Sequence, residues 1–237
     1  MSKVVINFNS KYTNKEQIIN CYYPSTNVDK VLILLHGLGG NQDTIGKFVD
    51  LEAYASKYNT LIVTPNGDRS FYTWLNTGED YSKYLQEEVI DMVDNLLTTD
   101  INDLPIYIGG ISMGGYGALQ QVVLYPDFYQ GLISISGSVD IMARDEFKRT
   151  NQDTKEEWIR MFGYKIDPKH DLFSYKLPNI KYYLACGEDD YLMFVSKRLA
   201  KNLEDNKLDY RFDIDKGEHN KEFFYPYLEK AIDYMLG

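Results

Sequence analysis

Ser112 lies in a glycine-rich stretch, residues 106–119, which reads IYIGGISMGGYGAL. An apolar run precedes the serine, and a pattern typical of a helix follows it. In G-x-S-x-G, here residues 110–114, the flanking glycines let a strand and a helix approach closely around a sharp turn. Such a turn lifts the hydroxyl clear of the backbone, and the helix N-terminus beside it favours developing negative charge. The stretch therefore predicts a nucleophilic serine suited to acyl transfer.

A serine hydroxyl becomes a good nucleophile when a base takes its proton, and the sequence offers three histidines for that task. His36 ends an apolar run and is followed by glycines, a context that favours shaping a loop. His170 lies in a polar region of the chain. His219 follows the last predicted strand and precedes the last predicted helix, where this topology delivers its base. We therefore expect His219 to be the general base.

The stretch YYLACGEDDYL offers three carboxylates directly after a predicted strand, namely Glu188, Asp189 and Asp190. A carboxylate at this place would hold the imidazole in the required tautomer and stabilise the imidazolium. The alternation of side chains between sheet faces fades where the strand turns at Gly187. The residue pattern therefore leaves all three carboxylates open as the acid.

Acyl transfer also needs two N–H donors aimed at the tetrahedral intermediate. The amide of Met113, directly after Ser112, is the expected first donor. The stretch HGLGGN follows another apolar run, and its glycines let the backbone curve inward, so the amide of Leu38 is the expected second donor. H-G-x-G-G also lacks the spacings of the common phosphate-binding loops. An oxyanion hole formed by Leu38 and Met113 is thus predicted.

Short apolar runs alternate with longer amphipathic segments, an order typical of a mostly parallel sheet with helices on both faces. Eight strands are predicted: VVINF, QIINCYY, KVLILLHG, TLIVTPNG, PIYIGGIS, GLISISGS, KYYLACG and YRFDIDKG. The first two are expected to form an antiparallel entry to the sheet. Helices are predicted over residues 44–58, 81–97, 113–125, 193–206 and 221–236. The chain length suits one α/β domain over residues 1–237.

Residues 139–176 interrupt the alternation, because they are polar, charged and only weakly periodic, with EEWIRMFG as the sole convincing helical piece. This region follows the carboxyl end of the strand GLISISGS, and α/β folds bind ligands at that end of their strands. We predict an insertion that forms a wall or lid, with an ordinary long loop as the alternative.

Composition limits the classes of partner. The net charge is −10, and lysines and arginines are scattered, which disfavours nucleic acid. The same acidity mildly disfavours polyanionic substrates and anionic membranes, unless a local basic pocket overrides it. No apolar run approaches the roughly 18 residues of a membrane span, and the first residues lack the continuous apolar region of a signal peptide. A cytoplasmic protein with a neutral small-molecule substrate and no membrane partner is therefore expected.

The two cysteines, Cys21 and Cys186, have neither the number nor the spacing of a disulfide scaffold or a metal site, and buried, reduced thiols are expected. No metal or organic cofactor is expected, because the proposed chemistry needs neither and no cluster of ligands appears in the sequence. The sequence leaves the oligomeric state open, including a homo-oligomer.

Five stretches, in their order and spacing, resemble the esterase D-like α/β hydrolases, with the tributyrin-esterase type as the most similar branch. These stretches are LLHGLGGN, PNGDRSFYTW, GGISMGGYGAL, CGEDDYL and KGEHNKEFF. The most specific element is S-M-G-G-Y-G-A-L. The resemblance implies an α/β-hydrolase fold and a serine carboxylesterase that hydrolyses short acyl or aryl esters through an acyl-enzyme. It also implies that Ser112, Asp190 and His219 form the triad and that NGDRSFYTW borders the substrate cleft.

The sequence departs from one relative in this group, S-formylglutathione hydrolase, which usually carries histidines around the serine turn and a Thr-Cys pair in the oxyanion loop. Ile111, Tyr116 and the letters GGN occupy those places here. These differences disfavour glutathione thioester hydrolysis as the main activity. A thioesterase of that type, or an acyltransferase on the same fold, is kept as the alternative function. The aromatic residue that often follows the catalytic histidine is also missing, since two polar residues precede Phe223 and Phe224.

Overall fold

Eight strands form one sheet in the computed structural model, which describes residues 2–143 and 152–237. The strands are β1 (Ser2–Ser10), β2 (Lys15–Tyr23), β3 (Lys30–Leu35), β4 (Thr60–Pro65), β5 (Ile106–Ile111), β6 (Gly131–Ile135), β7 (Lys181–Gly187) and β8 (Tyr210–Asp215). Their spatial order is β1-β2-β4-β3-β5-β6-β7-β8. β2 pairs antiparallel with β1 and β4, whereas the remaining pairs are parallel. The predicted α/β fold with an antiparallel entry is confirmed.

The helices pack on both faces of this sheet. They are α1 (Leu51–Lys57), α2 (Tyr81–Lys83), α3 (Ile90–Asp94), α4 (Met113–Leu124), α5 (Gln152–Phe162), α6 (Met193–Asp205) and α7 (Lys221–Leu236), and a π-helical segment, Tyr84–Val89, joins α2 to α3. One buried apolar cluster contains residues of α4 and α6, and a second contains residues of α1 and α7. Strand β4, which lies between these clusters, is buried along its whole length. The central strands are thus covered on both sides, as their continuous apolar sequences predict.

Two predicted helices differ from those observed. The helix predicted over 44–58 is divided into a 3₁₀ turn, Ile45–Lys47, and α1. Asp50 causes the division, because its side chain accepts a hydrogen bond from the Ala53 amide and so begins a new helix. The helix predicted over 81–97 ends instead at the end of α3, where the side chain of Asn95 donates to a helix carbonyl. Both predictions were wrong in their boundaries.

The predicted insertion, residues 139–176, connects β6 to β7. Residues 144–151 of this prediction lie outside the part of the chain that the structure describes. Helix α5 forms at the EEWIRMFG stretch, and 3₁₀ turns follow at Pro168–His170 and Leu172–Ser174. The role of the segment as a lid stays a prediction.

Helix α5 contacts the loop that follows β4. The rings of Trp158 and Phe162 lie 5.8 and 5.7 Å from the ring of Phe71, both in edge-on geometry. The carboxylate of Glu157 accepts hydrogen bonds from the guanidinium of Arg69. Apolar packing and an ion pair thus join α5 to the loop after β4.

His170 is buried within this aromatic region, with 3% of its surface exposed. Its ring stacks on Trp74 at 4.7 Å, and its Nδ1 lies 3.3 Å from the hydroxyl of Tyr116. Burial lowers the pKa of His170 to about 4, so the side chain is neutral at neutral pH. His170 is therefore a packing residue of the interior.

The lowered pKa of His170 predicts a pH dependence of stability. In the unfolded chain a histidine titrates near pH 6.5, so between about pH 6.5 and pH 4 the unfolded state binds more protons than the folded state. Stability therefore rises with pH across this window and is lost as the pH falls through it. We expect His170 to contribute a loss of up to about 3 kcal/mol between pH 7 and pH 4.

Urea denaturation of the wild type and of His170→Gln at several pH values measures this contribution. The free energy of unfolding of the wild type should fall more steeply between pH 6.5 and pH 4 than that of the variant. His36, which is also buried, is retained in both proteins and acts as an internal control. Equal pH slopes for the two proteins would contradict the prediction.

Cys21 and Cys186 are both buried free thiols. Burial raises the pKa of Cys21 to about 12 and that of Cys186 to about 11, so both side chains are protonated and unreactive at neutral pH.

Within residues 2–143 and 152–237, each helix is too short or too polar to cross a lipid bilayer.

Candidate active site

Ser112 joins β5 directly to α4 and adopts a strained backbone conformation, with φ 54° and ψ −111°. Such conformations cost about 1–3 kcal/mol and persist only where the surroundings impose them. The Ser112 amide donates to the Ile135 carbonyl at 2.9 Å, and the Ser112 carbonyl accepts from the amides of Gly115 and Ser138 at 3.0 and 2.9 Å. These hydrogen bonds, made to α4 and to the segment around the end of β6, fix the turn.

Two glycines make the turn sterically feasible. A Cβ atom on Gly110 would overlap the backbone of Gly114, and a Cβ atom on Gly114 would overlap the carbonyl of Leu35 at the end of β3. Helix α4 therefore approaches the sheet so closely that only glycine fits on either side of Ser112.

His219 lies in the loop between β8 and α7, and its ring connects two other side chains. Nε2 is 2.9 Å from Ser112 Oγ, and Nδ1 is 2.8 Å from Asp190 Oδ2. When Nδ1–H donates to the carboxylate, Nε2 is left as the acceptor for the serine hydroxyl. The side chain of His219 is 16% exposed, whereas that of Asp190 is fully buried. The base is thus reachable from the cleft, and the carboxylate is shielded from water.

Asp190 follows β7 and is held by several donors. Its Oδ1 accepts from the Leu192 amide at 2.8 Å. Burial acts to raise the pKa of Asp190, but hydrogen bonds from His219, Leu192 and the Ser136 hydroxyl outweigh it, so the pKa lies below the ordinary value of 3.8. Asp190 is therefore ionised at neutral pH and can stabilise a charged imidazole.

The two neighbouring carboxylates, Glu188 and Asp189, are exposed. The Glu188 amide donates to the Asp215 carbonyl and the Asp189 amide to the Gly217 carbonyl, at 2.9 and 3.0 Å. These hydrogen bonds bend the chain around the end of β8 before it turns inward. Of the three candidate acids, only Asp190 is hydrogen-bonded to His219.

The two predicted oxyanion donors lie on either side of Ser112. Met113 is the first residue of α4, and Leu38 lies in the loop after β3 and lines the cleft in front of Ser112. Within the described residues, neither backbone amide has a hydrogen-bond acceptor. The first N–H groups of a helix have no carbonyl one turn earlier to donate to, which explains the free N–H of Met113. Both amides are therefore available to a ligand.

His36 shapes the loop that carries Leu38. Its Nε2 accepts from the Gly67 amide at 2.9 Å, its Nδ1 lies 2.8 Å from the Gly37 carbonyl, and its own amide donates to the Tyr72 hydroxyl at 3.0 Å. Burial lowers the pKa of His36, which keeps the ring neutral and Nε2 free to accept. His36 thus ties the loop after β3 to the loop after β4, the shaping role that its glycine-rich context predicts.

An open cleft of about 490 Å³ lies in front of Ser112. Four aromatic side chains line it: Phe71, Tyr191, Phe224 and Tyr225. The rings of Tyr191 and Phe224 lie 4.6 and 4.8 Å from the imidazole of His219 and flank it. Phe71 belongs to the NGDRSFYTW stretch, which therefore does border the cleft.

Sequence reasoning missed several residues of the site. Phe224 supplies the aromatic ring that is missing directly after His219, since the first turn of α7 brings it back onto the imidazole. Tyr191 follows Asp190 and could have been found from that adjacency. Ser136, which also has a positive φ of 47°, helps to lower the pKa of Asp190 but gives no signal in the sequence beyond its place after β6. Among the described residues, no group of three or more His, Cys, Asp or Glu side chains is placed to hold a metal ion.

Comparisons with known proteins identify the family of the chain. Residues 10–231 match the model of a family described as "Putative esterase". An acetyl esterase of Caldicellulosiruptor saccharolyticus is 28% identical over 264 residues, which cover 99% of this chain and 98% of that protein.

Solved structures share the fold. The fluorophosphonate-binding serine hydrolase F of Staphylococcus aureus is 22% identical with a TM-score of 0.84, covering 100% of this chain and 98% of the other. An S-formylglutathione hydrolase of Staphylococcus aureus is 23% identical with a TM-score of 0.82, covering 100% and 99%. At these identities the likeness shows a common α/β-hydrolase architecture.

Proposed function

The chain belongs to the esterase family whose model it matches over residues 10–231, and from this premise we propose that Ser112, His219 and Asp190 are its catalytic triad. The protein is a carboxylic ester hydrolase with the α/β-hydrolase fold. The observation that carries the proposal is the continuous hydrogen-bond chain from Ser112 Oγ through both ring nitrogens of His219 to Asp190. This arrangement matches the roles of nucleophile, base and orienting acid.

In the proposed acylation step, Ser112 Oγ attacks the ester carbonyl carbon while His219 Nε2 takes the hydroxyl proton. The ionised Asp190 stabilises the resulting imidazolium without taking the proton. The amides of Leu38 and Met113 donate to the oxyanion of the tetrahedral intermediate, and a donor of this kind contributes about 10²–10³ in rate. The intermediate then expels the alcohol, which receives the proton from Nε2, and an acyl–serine ester remains.

Deacylation follows the same path with water as the nucleophile. His219 Nε2 removes a proton from the water as its oxygen attacks the acyl carbon, and a second tetrahedral intermediate forms at the same two amides. Its collapse returns the proton to Ser112 Oγ and releases the carboxylic acid. Since the cleft is open on the solvent side of His219, water is readily supplied for this step.

The proposed substrates are esters with a short acyl or an aryl group. The volume of the cleft lies in the range of small-molecule sites. Its aromatic side chains offer flat apolar surfaces to a substrate ring or chain. The related acetyl esterase acts, by its name, on a short acyl group, which supports the same class here.

Two structural parts of the proposal concern the chain as a whole. We treat residues 1–237 as one catalytic domain and α5, the helix of the predicted insertion, as the support behind one wall of its cleft. Support comes from α5, which packs on Phe71, itself a cleft residue. We also propose a cytoplasmic location, which suits two buried free thiols.

Turnover of 4-nitrophenyl acetate and butyrate, with and without a chelator and added alcohols, tests the proposed function. We expect hydrolysis that EDTA leaves unchanged, because the proposed steps use only side chains and amides of the chain. The acyl group should appear as free carboxylic acid even when alcohol is present. Loss of activity in EDTA that added metal restores would overturn the mechanism, and transfer of most acyl groups to the alcohol would make the enzyme an acyltransferase.

A further inference from the structure

The charge of the cleft differs from that of the whole molecule. The chain carries a net charge of −10, yet no Asp or Glu is found among the described residues that line the cleft. Lys221 is the one lysine or arginine in that lining, two residues after His219 and at the first position of α7. Among the described residues that line the cleft, the one permanent charge is therefore positive.

The ammonium group of Lys221 is available to a ligand. Within residues 2–143 and 152–237, no carboxylate oxygen lies within ion-pair distance of it. It lies over the face of the Phe48 ring, 5.7 Å from the ring centroid. Arg69, which approaches the cleft loop near Gly39, is neutralised instead by its ion pair with Glu157.

We propose that Lys221 makes this esterase selective for esters that carry a carboxylate group in addition to the scissile ester. The inference rests on the proposed function, since it concerns the substrate of the same site. A carboxylate in the cleft would lie within the Debye length of about 8 Å at physiological ionic strength, so salt screens its attraction to the Lys221 ammonium only partly. Lys221 also borders an adjoining surface pocket with Glu222 and Glu229, and neither carboxylate pairs with it. An exposed ion pair of this kind corresponds to up to about fivefold in kcat/KM.

Two pairs of esters test the inference, each pair differing only in a carboxylate and its methyl ester. The carboxylate is on the alcohol side in 4-acetoxybenzoate and on the acyl side in 4-nitrophenyl hydrogen adipate. The variants are Lys221→Gln and Lys221→Glu, with Lys230→Gln as the matched control, because Lys230 lies on the same helix but does not line the cleft. The control makes the same change in net charge as Lys221→Gln.

For at least one pair, Lys221→Gln should lower kcat/KM up to about fivefold more for the carboxylate ester than for its methyl ester. Lys221→Glu should lower it further, and high salt should reduce the preference of the wild type. The pair that responds identifies the side of the scissile bond that Lys221 contacts. The inference is wrong if Lys221→Gln affects both members of each pair equally, or if Lys230→Gln causes the same selective loss. A wild type that hydrolyses none of the four esters would instead overturn the proposed function, and the inference with it.

Discussion

Ser112→Ala is expected to lower kcat for ester hydrolysis by up to about 10⁶-fold while the protein remains folded. The substitution removes the oxygen that forms the acyl-enzyme, and the amides and the cleft alone provide only a small residual rate. Alanine fills less space than serine at this turn, so the close approach of α4 to the sheet is retained. The rate is measured with 4-nitrophenyl butyrate, and folding is checked by circular dichroism and thermal unfolding.

Ser25→Ala is a suitable control for this experiment, because Ser25 is an exposed residue of a surface turn. Its kcat should equal that of the wild type. If folded Ser112→Ala retained activity near that of the wild type, another residue would have to be the nucleophile and the proposed triad would be wrong.

Asp190→Asn is expected to lower kcat about 10⁴-fold, whereas Asp189→Asn should have little effect. Asparagine retains the shape of aspartate, but its amide group favours the wrong tautomer of His219 and cannot stabilise the imidazolium. The two aspartates are adjacent in sequence, yet one is buried against the imidazole and the other is exposed. The comparison therefore separates the orienting role from the general effect of removing a negative charge near the site.

Both variants are compared at neutral pH, with the free energy of unfolding measured for each. A large loss of kcat in Asp189→Asn with a nearly normal rate in Asp190→Asn would show that Asp189, and not Asp190, is the orienting acid. A comparable loss in both variants would point to a charge effect rather than to orientation of the imidazole.

The fold and the position of Ser112 follow from local sequence because each depends on short-range patterns. The strands are read from continuous apolar runs, and the turn at Ser112 is read from glycines whose missing side chains are required by steric contact with Leu35 and Gly114. The boundary at Asp50 was missed because a single capping side chain, within an otherwise helical pattern, decides where α1 begins.

The orienting acid shows where residue pattern stops being sufficient. Glu188, Asp189 and Asp190 are chemically equivalent candidates, and resemblance to known esterases, not spacing, favours Asp190. The structure gives a physical reason. The amides of Glu188 and Asp189 donate to carbonyls at the end of β8 and just after it, and both side chains point outward before Asp190 turns in. These contacts join segments far apart in the sequence, so no local pattern reports them.

The lining of the cleft depends on where the first turn of α7 lies. Phe224 reaches the imidazole because α7 begins two residues after His219, with the Asn220 side chain accepting from the Phe223 amide as its N-cap. Lys221 faces the cleft for the same reason, although the composition of the chain predicted neutral substrates. The charge of a site is thus decided by placement and not by the net charge of the protein.

The most direct test of covalent catalysis by Ser112 is peptide mapping by mass spectrometry after reaction with a serine-directed fluorophosphonate. We predict one adduct per chain, on Ser112, with activity lost in proportion to labelling and with much slower labelling in Asp190→Asn. An adduct on another residue, or full ester hydrolysis by protein in which Ser112 is completely labelled, would contradict the account.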